Sequence, residues 1–133
     1  MADRYWSREE VEALIPTLTE IMSGVMKGHA EASALRQRFQ EEKQRIALSG
    51  GAMIDVVTWR DARANLERFT EEVRAGLERI AELGGVVKDL DMGLVDFVHR
   101  RDAKDVNLCW KYGETEIRFW HGMDEGYAAR KPL

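Results

Sequence analysis

The chain has 133 residues, 33% of them charged, with 24 acidic against 20 basic side chains and a formal net charge of -4. That length suits one domain with a modest core. No basic run marks a nucleic-acid footprint and no apolar run approaches a membrane span, which sets nucleic acid and membrane aside as partners. The opening residues Asp3, Arg4, Tyr5 and Trp6 lack a signal peptide's apolar segment, and the single cysteine, Cys109, allows no internal disulfide. A reducing, cytoplasmic setting is therefore expected.

Residues 7–47 read as one long helix. Ser7 and Glu10 fit a capping box, in which hydroxyl and carboxylate each accept from an orphan amide, and Trp6 and Val11 stand where a hydrophobic staple forms. Val11, Leu18, Val25, Ala32, Phe39 and Ile46 repeat every seven residues, with Leu14, Ile21, Gly28 and Leu35 between them, so the stripe has coiled-coil spacing. Pro16 falls inside this helix, removes one amide donor and is expected to kink it near its start. Leu48 to Ala52, with Gly50 and Gly51, breaks the pattern as a connection.

A second capping box at Thr58 and Asp61 predicts a helix start near residue 58. The stripe Trp59, Ala62, Leu66, Phe69, Val73, Gly76, Ile80 and Leu83 steps by threes and fours until Gly84 and Gly85 stop it. Two long helices on a short loop lie antiparallel. With the turn centred near residue 50, Gly24 is expected opposite Gly76. His29 borders the same stripe and is expected to be partly buried and hydrogen-bonded.

Beyond residue 85 the period changes to two. Residues 86–89 and 94–99 read as short strands around a turn at 90–93, and residues 100–104 as a charged turn. In the next run Val106, Leu108 and Trp110 share one face while Asn107, Cys109 and Lys111 share the other. After Tyr112, Gly113 and Glu114, a tight turn, Ile117, Phe119 and His121 alternate with Glu116, Arg118 and Trp120. Trp110 and Trp120 are thereby expected on different faces, and residues 122–132 as an irregular tail. The fold class is α+β in a single domain, 1–133: a long antiparallel helical hairpin over 7–84, then a small antiparallel β-meander of four strands within 85–133. Apolar edges of the two stripes lead us to expect a homodimer through the helices.

Val87, Leu90, Gly93, Phe97, Trp110, Gly113, Glu114, Trp120, His121, Tyr127, Arg130 and Pro132, with the opening helix from Glu10 to Pro16, give the chain its resemblance to an uncharacterised bacterial family, domain of unknown function 2203. The resemblance covers nearly the whole chain and is loosest over residues 36–58. It implies a small bacterial protein with a long helical pair and a compact C-terminal module, and carries no established activity, substrate or cofactor.

Three chemistries are open to the C-terminal module. Imidazole and carboxylate ligands could hold zinc, iron or manganese, with His121, Glu114 and Glu116 as ligands and Asp124, Glu125, Cys109, Asp96 and His99 nearby in sequence. Trp110, Trp120 and Tyr127 could line a pocket for a small anionic ligand paired with Arg118 and Arg130. Cysteine catalysis ranks last: Cys109 sits among apolar neighbours, and a tight turn at Gly113 leaves His121 too far along the hairpin to reach it. No catalytic constellation names a reaction. The reading is a non-catalytic binding protein whose site lies in this module, against a helical-hairpin interaction or scaffold protein with no small-molecule site.

Overall fold

Ser7 starts the first helix as its spacing to Glu10 requires. Its hydroxyl accepts from the Glu10 amide at 3.1 Å while the Glu10 carboxylate accepts from the Ser7 amide at 2.9 Å, so both orphan donors are satisfied. The computed structural model, which describes residues 4–50 and 55–133, places α1 at Arg8–Ser49, continuous through Pro16 and closed by Gly50 in the left-handed conformation. Gly51 and Ala52 of the expected connection lie outside the described residues.

The second helix, α2, spans Val56–Leu83. Its cap is Asp55, not Thr58: the Asp55 carboxylate accepts from both the amide and the hydroxyl of Thr58. An ionised carboxylate is the stronger acceptor at the positive end of the helix, so the start moves upstream. Gly84 ends the helix at φ 103°, a conformation costly for any residue with a Cβ.

The helices pack antiparallel, since rising numbers on α1 meet falling numbers on α2: Gly76 lies against Val25 and Ile21, Gly28 against Val73 and Phe69, and Phe39 against Trp59. The glycine pairing differs from expectation. A Cβ on Gly76 would stand 2.3 Å from Val25 Cγ2, whereas Gly24 has nothing within 4 Å of its Cβ position and is exposed. Close approach therefore falls to Gly76 and Gly28. The helical register turns Gly24 outward, because Val25 and Gly28 already occupy the inward positions.

Five strands follow, β1 Val86–Asp89, β2 Leu94–Arg101, β3 Lys104–Lys111, β4 Phe119–Gly122 and β5 Lys131–Pro132, ordered β1-β2-β3-β4-β5 and antiparallel throughout. The fifth strand and a short 3-10 turn at Tyr127–Ala129 occupy the stretch expected to be an irregular tail. The charged turn narrows to Asp102 and Ala103, both at positive φ, so β2 and β3 are each longer than the sequence suggested.

One face of this sheet carries Val95, Phe97, Leu108 and Trp110, which join Val11, Leu18, Met22, Val25 and Ile80 in one buried cluster. Each such side chain contributes about 1.5–3 kcal/mol by leaving water. Trp120 pairs directly with Leu108 and packs against the same cluster, so the two tryptophans share a face, contrary to expectation. The cause is the β3–β4 connection. It is an irregular loop over residues 112–118, and its Ile117 drops fully into the core with its amide donating to Glu12 Oε1 of α1 at 3.1 Å. A loop of that length resets the parity of β4, leaving Phe119 and His121 on the outer face while Ile117 stays inside.

Candidate metal centre

On the outer face the register sets Asp96 opposite Cys109 and Cys109 opposite Phe119, with Asn107 opposite His121. Residues directly opposite in a ladder share a face, and their diagonal neighbours stay within reach of long side chains. Asp96, Cys109 and His121 thus converge across three adjacent strands. Their exposures are 2%, 1% and 2%. One donor atom from each lies within 4.8 Å of the others, the only such group of three His, Cys, Asp or Glu residues among the described residues.

The hydrogen bonds leave this group incomplete. His121 Nδ1 donates to the Gly122 carbonyl at 2.9 Å, because a carbonyl oxygen can only accept. In the neutral ring Nε2 then carries a lone pair, and it lies 3.0 Å from Asp96 Oδ2. Neither oxygen of Asp96 makes a hydrogen bond of acceptable geometry. A buried carboxylate without a donor is costly, and buried polar groups are ordinarily paired. With no aligned donor on either oxygen, the buried Asp96 charge calls for a nearby cation, a proton or a metal ion.

Burial pushes the Cys109 thiol up to about 12, with the Asp96 charge and the thiol's contact with the Asp96 carboxylate acting the same way and the Arg130 charge against them. A thiol so placed is a poor nucleophile unless a metal displaces its proton. The imidazole is also wrongly committed for a catalytic triad, since its Nδ1 binds a backbone carbonyl and Asp96 stands at Nε2, where a nucleophile's proton would go. A ring nitrogen held by a carbonyl is, in contrast, the usual outer support of a metal-bound histidine.

Of the residues the sequence singled out, His121 stands in this group. Glu114 and Glu116 do not join it. Glu114 binds Arg130 at 2.7 Å and accepts from the Lys111 amide at 2.7 Å, and Glu116 pairs with Arg118 at the surface. The intended pocket residues separate as well. Trp110 is fully buried with Nε1 donating to the Glu114 carbonyl, Trp120 is flanked by Arg101 and Lys131, and Arg118 is exposed. Arg130 and Tyr127 do meet: the Arg130 guanidinium lies 3.9 Å from the centre of the Phe119 ring and 4.9 Å from that of Tyr127. These three, with Lys111, Tyr112 and Glu114, line an open groove. His29 faces the exposed Asp91, and His99 binds the Trp6 carbonyl, so neither enters the site.

Cys109 and Asp96 were in view in the sequence but were not joined to His121, because a tight turn implied the wrong register. One signal was there to be read. Asp96 interrupts the run Leu94, Val95, Phe97, Val98, and an acid inside so apolar a strand is either at the surface or paired with something.

Comparison with known proteins gives one match: a family model described as uncharacterized conserved protein (DUF2203) matches residues 4–133. No curated protein and no solved structure matches the chain.

Proposed function

The chain belongs to the uncharacterised conserved family DUF2203, and from that premise we propose that it is a metal-binding protein whose centre is Asp96, Cys109 and His121. The observation that carries this is the orphaned Asp96 carboxylate facing the free nitrogen of His121, with the Cys109 thiol beside both. A divalent ion bound by one carboxylate, one thiolate and one neutral imidazole is electrically neutral overall. Neutrality resolves the expense of burying Asp96 that the metal-free arrangement leaves open. Mixed nitrogen, sulfur and oxygen donors favour zinc, then ferrous iron, over manganese, which prefers oxygen alone. Ligand bonds of about 2.0–2.3 Å place donors about 3.3–3.7 Å apart around a tetrahedral ion; here His121 and Asp96 stand 3.0 Å apart and all three donors lie within 4.8 Å of one another.

Cobalt(II) titration of the metal-free protein tests the site. A thiolate-to-cobalt charge-transfer band should appear in the wild type and vanish in Cys109→Ser, with His121→Ala weakening binding. Absence of the band with a folded wild type makes the trio a proton-bridged buried pair and refutes the reading.

A second reading, helix-mediated interaction, is supported by the far end of the hairpin. Phe39 and Trp59 are only half-buried there, and Val56 and Val57 are exposed. A second copy of the chain is the occupant expected from the apolar spacing, giving a cytoplasmic homodimer. Light scattering decides this: a monomer at micromolar concentration removes it. No helix among the described residues is long and apolar enough to cross a membrane.

A further inference from the structure

The helices pack on the inner face of the sheet, so they do not cover Asp96, Cys109 and His121. The cover beside Cys109 begins with Phe119, its direct partner across the ladder. Arg130 stacks on Phe119, with a side chain only 9% exposed, and Tyr127 flanks the guanidinium. Arg130 is latched to Glu114 of the 112–118 loop at 2.7 Å. The segment bearing Arg130 is otherwise held by short attachments. Glu125 accepts from the Gly122 amide and from Lys131 Nζ, the Leu133 amide donates to the Arg118 carbonyl, and β5 pairs over just Lys131 and Pro132.

We propose that residues 123–130, anchored by β5, form a strap over the metal centre, with Arg130 as its latch, and that this strap controls passage to Cys109. The proposal rests on the metal reading for its purpose, but its geometry is independent of any ion. Stacked against Phe119 and paired with Glu114, Arg130 joins three parts of the chain at one point: the strap, β4 and the loop after β3. Cutting that point leaves the sheet and helical core untouched, because none of Arg130, Glu114 and Tyr127 belongs to the buried cluster. The neighbouring open groove, lined by Lys111, Tyr112, Phe119 and Tyr127, is then the route by which an ion or reagent arrives. Arg130 is a gating residue, not a ligand.

Because Cys109 is the only cysteine, its modification by a small thiol reagent reads access directly in metal-free protein. Arg130→Ala and Glu114→Gln should label at least about tenfold faster than wild type, as expected for a local opening made cheaper. Arg118→Ala, which removes only an exposed pair with Glu116, should label as wild type. Loss of the Arg130 charge by itself disfavours the thiolate, so faster labelling in that variant reports access; loss of the Glu114 charge favours it, so Glu114→Gln is read only beside Arg130→Ala or Arg130→Gln. The same two variants loaded with zinc should release it to excess chelator faster by a similar factor. Thermal midpoints near wild type show that the change is local; if Arg130→Ala does not fold, Arg130→Gln, which also removes the latch and disfavours the thiolate, carries the test. Equal labelling in folded wild type and both variants overturns the strap, even if the protein binds zinc. Faster labelling in a protein that takes up no zinc retains the strap and discards the metal reading.

Discussion

His121 Nε2 stands 3.0 Å from Asp96 Oδ2 while the ring's other nitrogen is bound to the Gly122 carbonyl. The two side chains therefore meet closely without an aligned hydrogen bond, both buried on the outer face. This relationship makes a direct prediction for Asp96→Asn. The amide can donate to Nε2 where the carboxylate cannot, so the metal-free variant should unfold at or above the wild-type midpoint, by up to about 1–3 kcal/mol for a relieved buried orphan. It should also lose the stabilisation by zinc, which for the wild type is about 2.7 kcal/mol at a hundredfold excess over Kd. Thermal melts of both proteins with and without zinc check this. A variant stabilised by zinc as strongly as the wild type would contradict it.

The two helical glycines give opposite expectations. Gly76→Ala forces a methyl against Val25 Cγ2 in the buried crossing, so it should destabilise by about 1–3 kcal/mol. Gly24→Ala meets empty space on an exposed helical turn and should stabilise by about 0.5–1 kcal/mol through backbone entropy and helix propensity. Urea denaturation of the two variants reads the sign of each. A gain from Gly76→Ala, or a clear loss from Gly24→Ala, would disprove the packing described.

Glu12 couples pH to the β3–β4 connection. The Ile117 amide, and after it Arg8, hold the Glu12 carboxyl below its usual range. A carboxylate whose pKa is depressed on folding adds stability above the unfolded value, near 4.5, and loses it as pH falls through the folded value. Glu12→Gln should therefore be less stable than wild type at pH 7, and the gap should narrow as pH falls below the unfolded value of 4.5. Denaturation midpoints of both proteins across that range test it; a gap that persists unchanged at pH 3 assigns the loss to something other than this charge.

The parts of this fold legible in the sequence were those set by local period and local chemistry. The stripe from Trp59 to Leu83 faces inward at every position named, and Ser7, Glu10 and Gly84 cap as their types require. Errors arose where a single residue of register decides everything. Asp55 captured the helix start because its carboxylate accepts from both the amide and the hydroxyl of Thr58, engaging the hydroxyl that would have capped. Ile117 left its alternating run to fill the core, and that one departure turned Phe119 and His121 to the outer face. Periodicity could name His121 as a site residue. It could not bring Cys109 to it, since strand register depends on a loop whose conformation is fixed by a contact with Glu12, 105 positions earlier.

The most direct test of the account is elemental analysis of tag-free protein purified without chelator, alongside its Cys109→Ala and His121→Ala variants. About one equivalent of zinc or iron per wild-type chain is expected, and far less in either variant. Folded wild-type protein that is metal-free, and stays so after incubation with zinc, would contradict it and leave Asp96 and His121 as a buried pair sharing a proton.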